Sequence, residues 1–199
     1  MSATEEVRAR SRVKVGGAAE TDLLVTSAPA GRDFWTSTLR TKLSTNNKEL
    51  RRKLRDLVIR VSESTGVVLF DAVEAGVPTN VVKIIAGATG ESATAIMNLA
   101  GVSQTTFIRK EAAKEPLPDA AGHRIMGYLR VVATLRRLLD ESGDPGQMKD
   151  FDLEGWVAQW MHEELPELGG KTPAEMLRNP EGQRVVEQVL ERMRGGLVA

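Results

Sequence analysis

Apolar residues return at intervals of three and four along four stretches of this chain, the period of a helix with one buried face. From Asn47 to about Ser64 they are Leu50, Leu54, Leu57, Val58 and Val61. In the stretch that opens at Leu117-Pro118 and reaches about Ser142 they are Ile125, Leu129, Val132, Leu135 and Leu139. A third stripe joins Leu153, Trp156, Val157, Trp160 and Met161, and a fourth joins Val185, Val186, Val189, Leu190 and Met193. Polar punctuation predicts where the helices begin and end. Thr172 can accept the Glu175 amide while Glu175 reaches back to the Thr172 amide, and Pro173 at the first helical position forfeits no hydrogen bond. Asn179 followed by Pro180 repeats the device, so a last helix runs from this corner to about Arg194. Pro166 with Gly169-Gly170 is expected to end the third helix. Three short helices with facing stripes then make a compact unit at the C-terminal end.

The middle of the chain carries a second run of start and stop signals. Asp71 to Pro78 reads as a short helix, a stop at Gly76 and a new start behind Pro78. Ser92 can cap a helix holding Ile96, Met97 and Leu99, Gly101 supplies a left-handed turn, and Ser103 caps a helix through Thr106, Phe107 and Ile108. That is the outline of a helix-turn-helix. In such geometry Val102 and Phe107 point inward, leaving Gln104, Thr105, Arg109 and Lys110 outward, and those residue types reach base edges and phosphates. The same corner also joins helices that never touch DNA, and Glu111 and Glu115 dilute the positive field around Arg109, Lys110 and Lys114. Along the long helix that follows, Arg124, Arg130, Arg136 and Arg137 are expected on the outer side.

Composition narrows the class. The chain has 199 residues, 41% apolar and only 4% aromatic, which suits packed helices better than a β sandwich. It lacks cysteine, and no stretch approaches the roughly 20 apolar residues of a membrane span; a cytoplasmic protein is expected. Formal net charge is zero, yet residues 1–66 hold 13 Lys and Arg against 8 Asp and Glu, whereas residues 150–199 hold 5 against 10. A basic front suits nucleic acid and an acidic back suits a basic protein surface, although two solvated faces read the same way. Arg51, Arg52, Lys53, Arg55 and Arg60 flank the first stripe and can face water, phosphates or a partner. Residues 1 to about 33 read as a loosely attached arm, with a linker at Ala28 to Gly31.

Candidate chemistry is sparse. His123 and His162 are the only histidines and have no metal-ligand spacing. Glu163-Glu164 and Asp150 with Asp152 diverge in direction and read as solvated charge. Ala86 to Gly90 could follow a strand over Val81–Ile85, but lacks the Gly-Lys-Ser/Thr of a phosphate loop. No catalytic residue, cofactor or metal is expected, so the chain is read as a non-enzyme.

The tryptophan helix with Trp156, the corner Leu168 to Pro173, then Gly182, Val185, Val189 and Gly195 resemble the C-terminal toxin-binding domain of the Xre/MbcA/ParS antitoxin family. Gly101 to Arg109 resembles the turn and recognition helix of Xre-type regulators, and Asp71 to Pro78 resembles the family's opening. The likeness covers about residues 69–199. Where the family shows an acidic residue shortly before its counterpart of Arg124, this chain has Ala121, Gly122 and His123, which puts any role imported for Arg124 in doubt.

The resemblance implies an all-α antitoxin of a RES–Xre system in three parts: an N-terminal extension over 1–66 with a basic amphipathic helix at about 47–64, an Xre-like helix-turn-helix domain over 67–142, and a toxin-binding helical domain over 147–199, with the boundary at Ser142 to Gly146. It would neutralise a RES-domain toxin, whose relatives resemble ADP-ribosyltransferases and consume or transfer from NAD. It would also repress its own operon by binding operator DNA as a homodimer within a hetero-oligomeric complex. A stand-alone regulator without a toxin is the alternative. The toxin-facing residues would be Trp156, Trp160, Lys171, Arg192, Arg194 and the tail Gly195, Gly196, Leu197, Val198 and Ala199, with that tail entering the toxin's active-site cleft. For both tryptophans core packing is the favoured reading and interface the alternative.

Overall fold

The computed structural model describes residues 33–36, 46–142 and 151–194. The expected arm over residues 1–32, the boundary at 143–146 and the tail Gly195 to Ala199 lie outside the described residues. All regular elements within them are helical: α1 Asn47–Glu63, α2 Gly66–Glu74, α3 Asn80–Thr89, α4 Ala93–Ala100, α5 Gln104–Ala112, α6 Asp119–Ser142, α7 Leu153–Trp160, α8 Pro173–Met176 and α9 Pro180–Arg194. A single 3-10 turn, Pro166–Leu168, joins α7 to α8. The all-α expectation holds, and the segment Val81–Ile85, which could pass for a strand, is helix.

Most starts follow the expected caps. The side chain of Ser92 accepts the Ala95 amide at 3.0 Å and that of Ser103 the Thr106 amide at 3.2 Å; α1 opens on a cap not expected, Asn46, whose side chain accepts the Lys48 amide at 2.9 Å. At α8 both halves of the capping box form, with Thr172 Oγ1 accepting from Glu175 N and Glu175 Oε2 from Thr172 N, at 3.2 and 3.0 Å. That second bond holds the Glu175 carboxyl below its ordinary range. A carboxylate so depressed lends stability above its unfolded pKa and loses it as pH falls through the folded one.

One buried cluster runs from Phe34 and Trp35 to Leu190. The stripe Leu50, Leu54, Leu57, Val58 and Val61 of α1 is wholly buried and lies against α3 and α6. Trp35 is 1% exposed, and its indole donates to the Ala72 carbonyl of α2 at 2.7 Å. The α9 stripe packs on α8, the 3-10 turn and α6, while α7 packs on α3.

Five expectations are corrected. The third helix ends at Trp160, before Pro166, which instead opens the 3-10 turn, and the left-handed turn follows at Gly169. Trp156 leaves the core stripe and is 39% exposed, as does Met193 at 43%. The basic residues of α1 do not form a uniform outer face: Arg51 makes a two-toothed pair with Asp152 at 3.0 Å, and Arg55 approaches the buried Glu154. Asp152 thus binds Arg51 while it also accepts the Gly155 amide at 3.1 Å, so it is no free surface charge. Arg124, expected outside, is half-buried and donates to two main-chain carbonyls, Arg178 O at 3.2 Å and Ala100 O at 3.4 Å.

Candidate functional site

At its N-terminal end, α7 builds an aromatic ledge. Asp152 is its N-cap, which makes Phe151 the residue before the cap and Trp156 the fourth helical residue, the two positions of a hydrophobic staple. Their rings lie 6.4 Å apart. Trp156 then stacks on Trp160, centroids 6.0 Å apart and planes 13° from parallel, because residues four apart share a helix face. Trp160 is 4% exposed and forms the floor; Trp156 and Phe151, at 39% and 42%, form the surface.

That ledge borders a largely apolar groove of about 440 Å³ lined by Leu135, Leu138, Leu139 and Glu141 of α6, Phe151, Trp156 and Met193 of α9. Of the residues expected to face a toxin, the groove includes Trp156 alone. Lys171 is exposed at the glycine corner, where its carbonyl accepts the Leu165 amide at 3.2 Å. Arg192 is exposed on another face of α9, alongside Gln188. The Arg194 side chain and Gly195 to Ala199 lie outside what is described. Sequence reasoning missed Phe151 and Leu138 and read Leu135, Leu139 and Met193 only as stripe residues; the staple position of Phe151 before Asp152 was the available signal.

A second surface surrounds α5. Gly101 sits between α4 and α5 with φ 69°, a left-handed conformation that suits glycine. It also sits under a guanidinium, since a Cβ there would lie 1.6 Å from Arg124 Nη1. Val102 and Phe107 are buried, and Gln104, Thr105 and Arg109 are exposed. Lys110 is half-buried and bound to Glu115 at 3.0 Å; that hydrogen bond, then the lysine's charge, holds the Glu115 carboxyl below its ordinary range. Lys83 likewise pairs with Glu111. Ile108, 55% exposed between Thr105 and Arg109, is an apolar feature of this face that the outward list omitted.

Elsewhere the polar groups are structural. His162 Nε2 lies 2.9 Å from Glu91 Oε1, and His123 Nδ1 lies 2.7 Å from the Asp119 carbonyl. Burial, then the charges of Glu91 and Glu154, pushes the Tyr128 hydroxyl well above its ordinary value, so it stays neutral. Among the described residues no cluster of three or more His, Cys, Asp or Glu could hold a metal, and no helix is long and apolar enough to cross a membrane.

Residues 151–196 match the family model of the antitoxin Xre/MbcA/ParS C-terminal toxin-binding domain. This segment is similar to that family. The match spans the Phe151 and Trp156 ledge, the Thr172 corner and α9, so the matched segment contributes three of the seven groove residues. A relative from Sphingobium sp. (strain YBL2), named Prs ADP-ribosylating antitoxin, is 33% identical over 97 residues, a longer stretch than the family model covers. Those residues are 48% of this chain and 59% of the relative, so the chain spans about three fifths of the curated relative's length.

Proposed function

We propose that this protein is an antitoxin that neutralises a cognate toxin through its Xre/MbcA/ParS segment. The observation that carries the reading is the half-exposed Trp156, stacked on a buried tryptophan and flanked by Phe151 and Met193, within a segment whose family is described by toxin binding. A rigid aromatic anchor beside an apolar groove has the composition of an interface centre. Lys171 and Arg192 would lie at its rim. The toxin is a RES-domain protein acting on NAD, so the NAD chemistry resides in the partner. Arg194 and the stretch Gly195, Gly196, Leu197, Val198 and Ala199 enter the toxin's cleft, where Leu197 and Val198 contribute about 1.5–3 kcal/mol each if fully buried.

Co-expression with the neighbouring open reading frame tests this reading. Growth rescue and a co-purifying complex are expected with the full chain, and a chain ending at Gly195 is expected to lose rescue while keeping its helical content. Full rescue by the shortened chain would move inhibition from the tail to the Trp156 ledge. No toxicity and no complex would favour a stand-alone regulator.

The α5 surface supports a second activity of the same protein, operator binding by a helix-turn-helix. Gln104, Thr105 and Arg109 are free to approach a groove, whereas Lys110 must first leave Glu115 to reach a phosphate. Arg109→Ala is expected to weaken binding to the DNA upstream of the gene and to reduce its salt slope by about one unit. An unchanged slope would remove Arg109 from the interface.

A further inference from the structure

α7 is held at its start by a helix outside the matched segment. α1 carries Arg51 and Arg55 four residues apart, each one position after a buried leucine of the inner stripe, Leu50 and Leu54. Residues at that spacing share a side of the helix. Both guanidiniums reach the beginning of α7: Arg51 Nη1 and Nη2 each lie 3.0 Å from one oxygen of Asp152, and Arg55 Nη2 lies 3.9 Å from Glu154, which is buried. Five buried apolar side chains hold α1 against α3 and α6, so the arginines project from a fixed base.

Asp152 turns that grip into an arrangement of aromatic rings. Its carbonyl accepts the Trp156 amide at 2.9 Å, its Oδ1 accepts the Gly155 amide at 3.1 Å, and Phe151 is the residue before it. A Cβ on Gly155 would lie 2.8 Å from Asp152 Oδ2, so glycine lets the carboxylate lie against the first turn while both its oxygens meet Arg51. A two-toothed guanidinium–carboxylate pair fixes orientation as well as distance, which the point charge of a lysine does not. Staple, cap and clamp therefore meet at one residue.

We propose that Arg51, acting through the Asp152 carboxylate, is a positioning residue of the toxin-binding site: it fixes the first turn of α7 and with it the placement of Phe151 and Trp156 beside the groove. α1 thereby belongs to the binding apparatus, although it precedes the matched segment. This role rests on the reading of the ledge as the toxin contact.

Arg51→Met, Asp152→Asn and the double variant, each in the full chain, test the role. The two side chains are 41% and 49% exposed, and asparagine still caps a helix while offering one oxygen. Melting temperatures are therefore expected to stay within about 4 °C of wild type. In the free protein, the Gly155 and Trp156 amides are expected to exchange with solvent about 3- to 10-fold faster in each variant. Affinity for the protein encoded by the neighbouring open reading frame is expected to fall by about 3- to 30-fold. The double variant is expected to fall no further than the weaker single one, because both changes break one pair. Arg51→Lys, which keeps the charge and lacks the fork, is expected to lie between wild type and Arg51→Met. Unchanged exchange at α7 overturns the proposal even where binding weakens, since Arg51 would then touch the toxin itself. Unchanged affinities in variants of a wild type that binds overturn the positioning role alone. A wild type that binds nothing overturns the functional reading, and this role with it.

Discussion

Gly182→Ala is expected to lower stability by about 3 kcal/mol and the melting temperature by roughly 6–12 °C, as overpacking against backbone does. Gly182 is the third residue of α9, and its amide donates to the capping Asn179 side chain at 2.9 Å. A Cβ there would sit 1.9 Å from the Met176 carbonyl oxygen, with the Met176 carbonyl carbon and Cα at 2.7 and 2.9 Å. All three are main-chain atoms of α8, held by the capping box, so no side chain can swing aside. The added methyl must push α9 away from Leu177 and lift Val186, Val189 and Leu190 from the core. Gly66→Ala supplies the contrast: nothing lies within 4 Å of a Cβ at this first residue of α2, and alanine there is expected to be neutral or to stabilise by up to about 1 kcal/mol. Thermal and urea denaturation of both variants measures the difference. Equal melting temperatures would show that the α8–α9 corner relaxes without cost.

The two stacked tryptophans are expected to separate affinity from stability. Trp156→Ala removes the exposed anchor and is expected to weaken toxin binding by about 30- to 150-fold, equivalent to about 2–3 kcal/mol, while unfolding changes by no more than about 1 kcal/mol. Trp160→Ala removes the buried ring beneath it and is expected to cost about 3–5 kcal/mol of folding stability, as deletion of a core aromatic does. Titration of purified toxin and denaturation of the free antitoxin, performed on both variants, distinguish the two effects. If Trp156→Ala binds at wild-type strength, the ledge is not the contact and the tail becomes the sole candidate.

What the sequence determined by itself is local. Ser92, Ser103, Thr172 and Asn179 each bond an amide three residues on, and Gly101 adopts its left-handed turn next to the helix it ends. Such bonds need only a few fixed dihedrals, so their residue types and spacings predict them. The inner stripes of α1 and α6 were legible for the same reason, since a period of 3.6 residues places them on one face. The fate of Trp156 was not. It shares a helical face with Trp160, and periodicity assigns both to the core, but burial depends on how the other helices pack around α7. Arg51 and Asp152 are 101 residues apart, and Arg124 and Arg178 are 54 apart. Pairings across such distances are selected by how the whole core packs, and each basic side chain has several acidic or carbonyl partners that would satisfy its own sequence context. The tertiary structure alone decided which acids silence Lys83 and Lys110, which tryptophan meets solvent, and that Phe70 of α2 is left exposed.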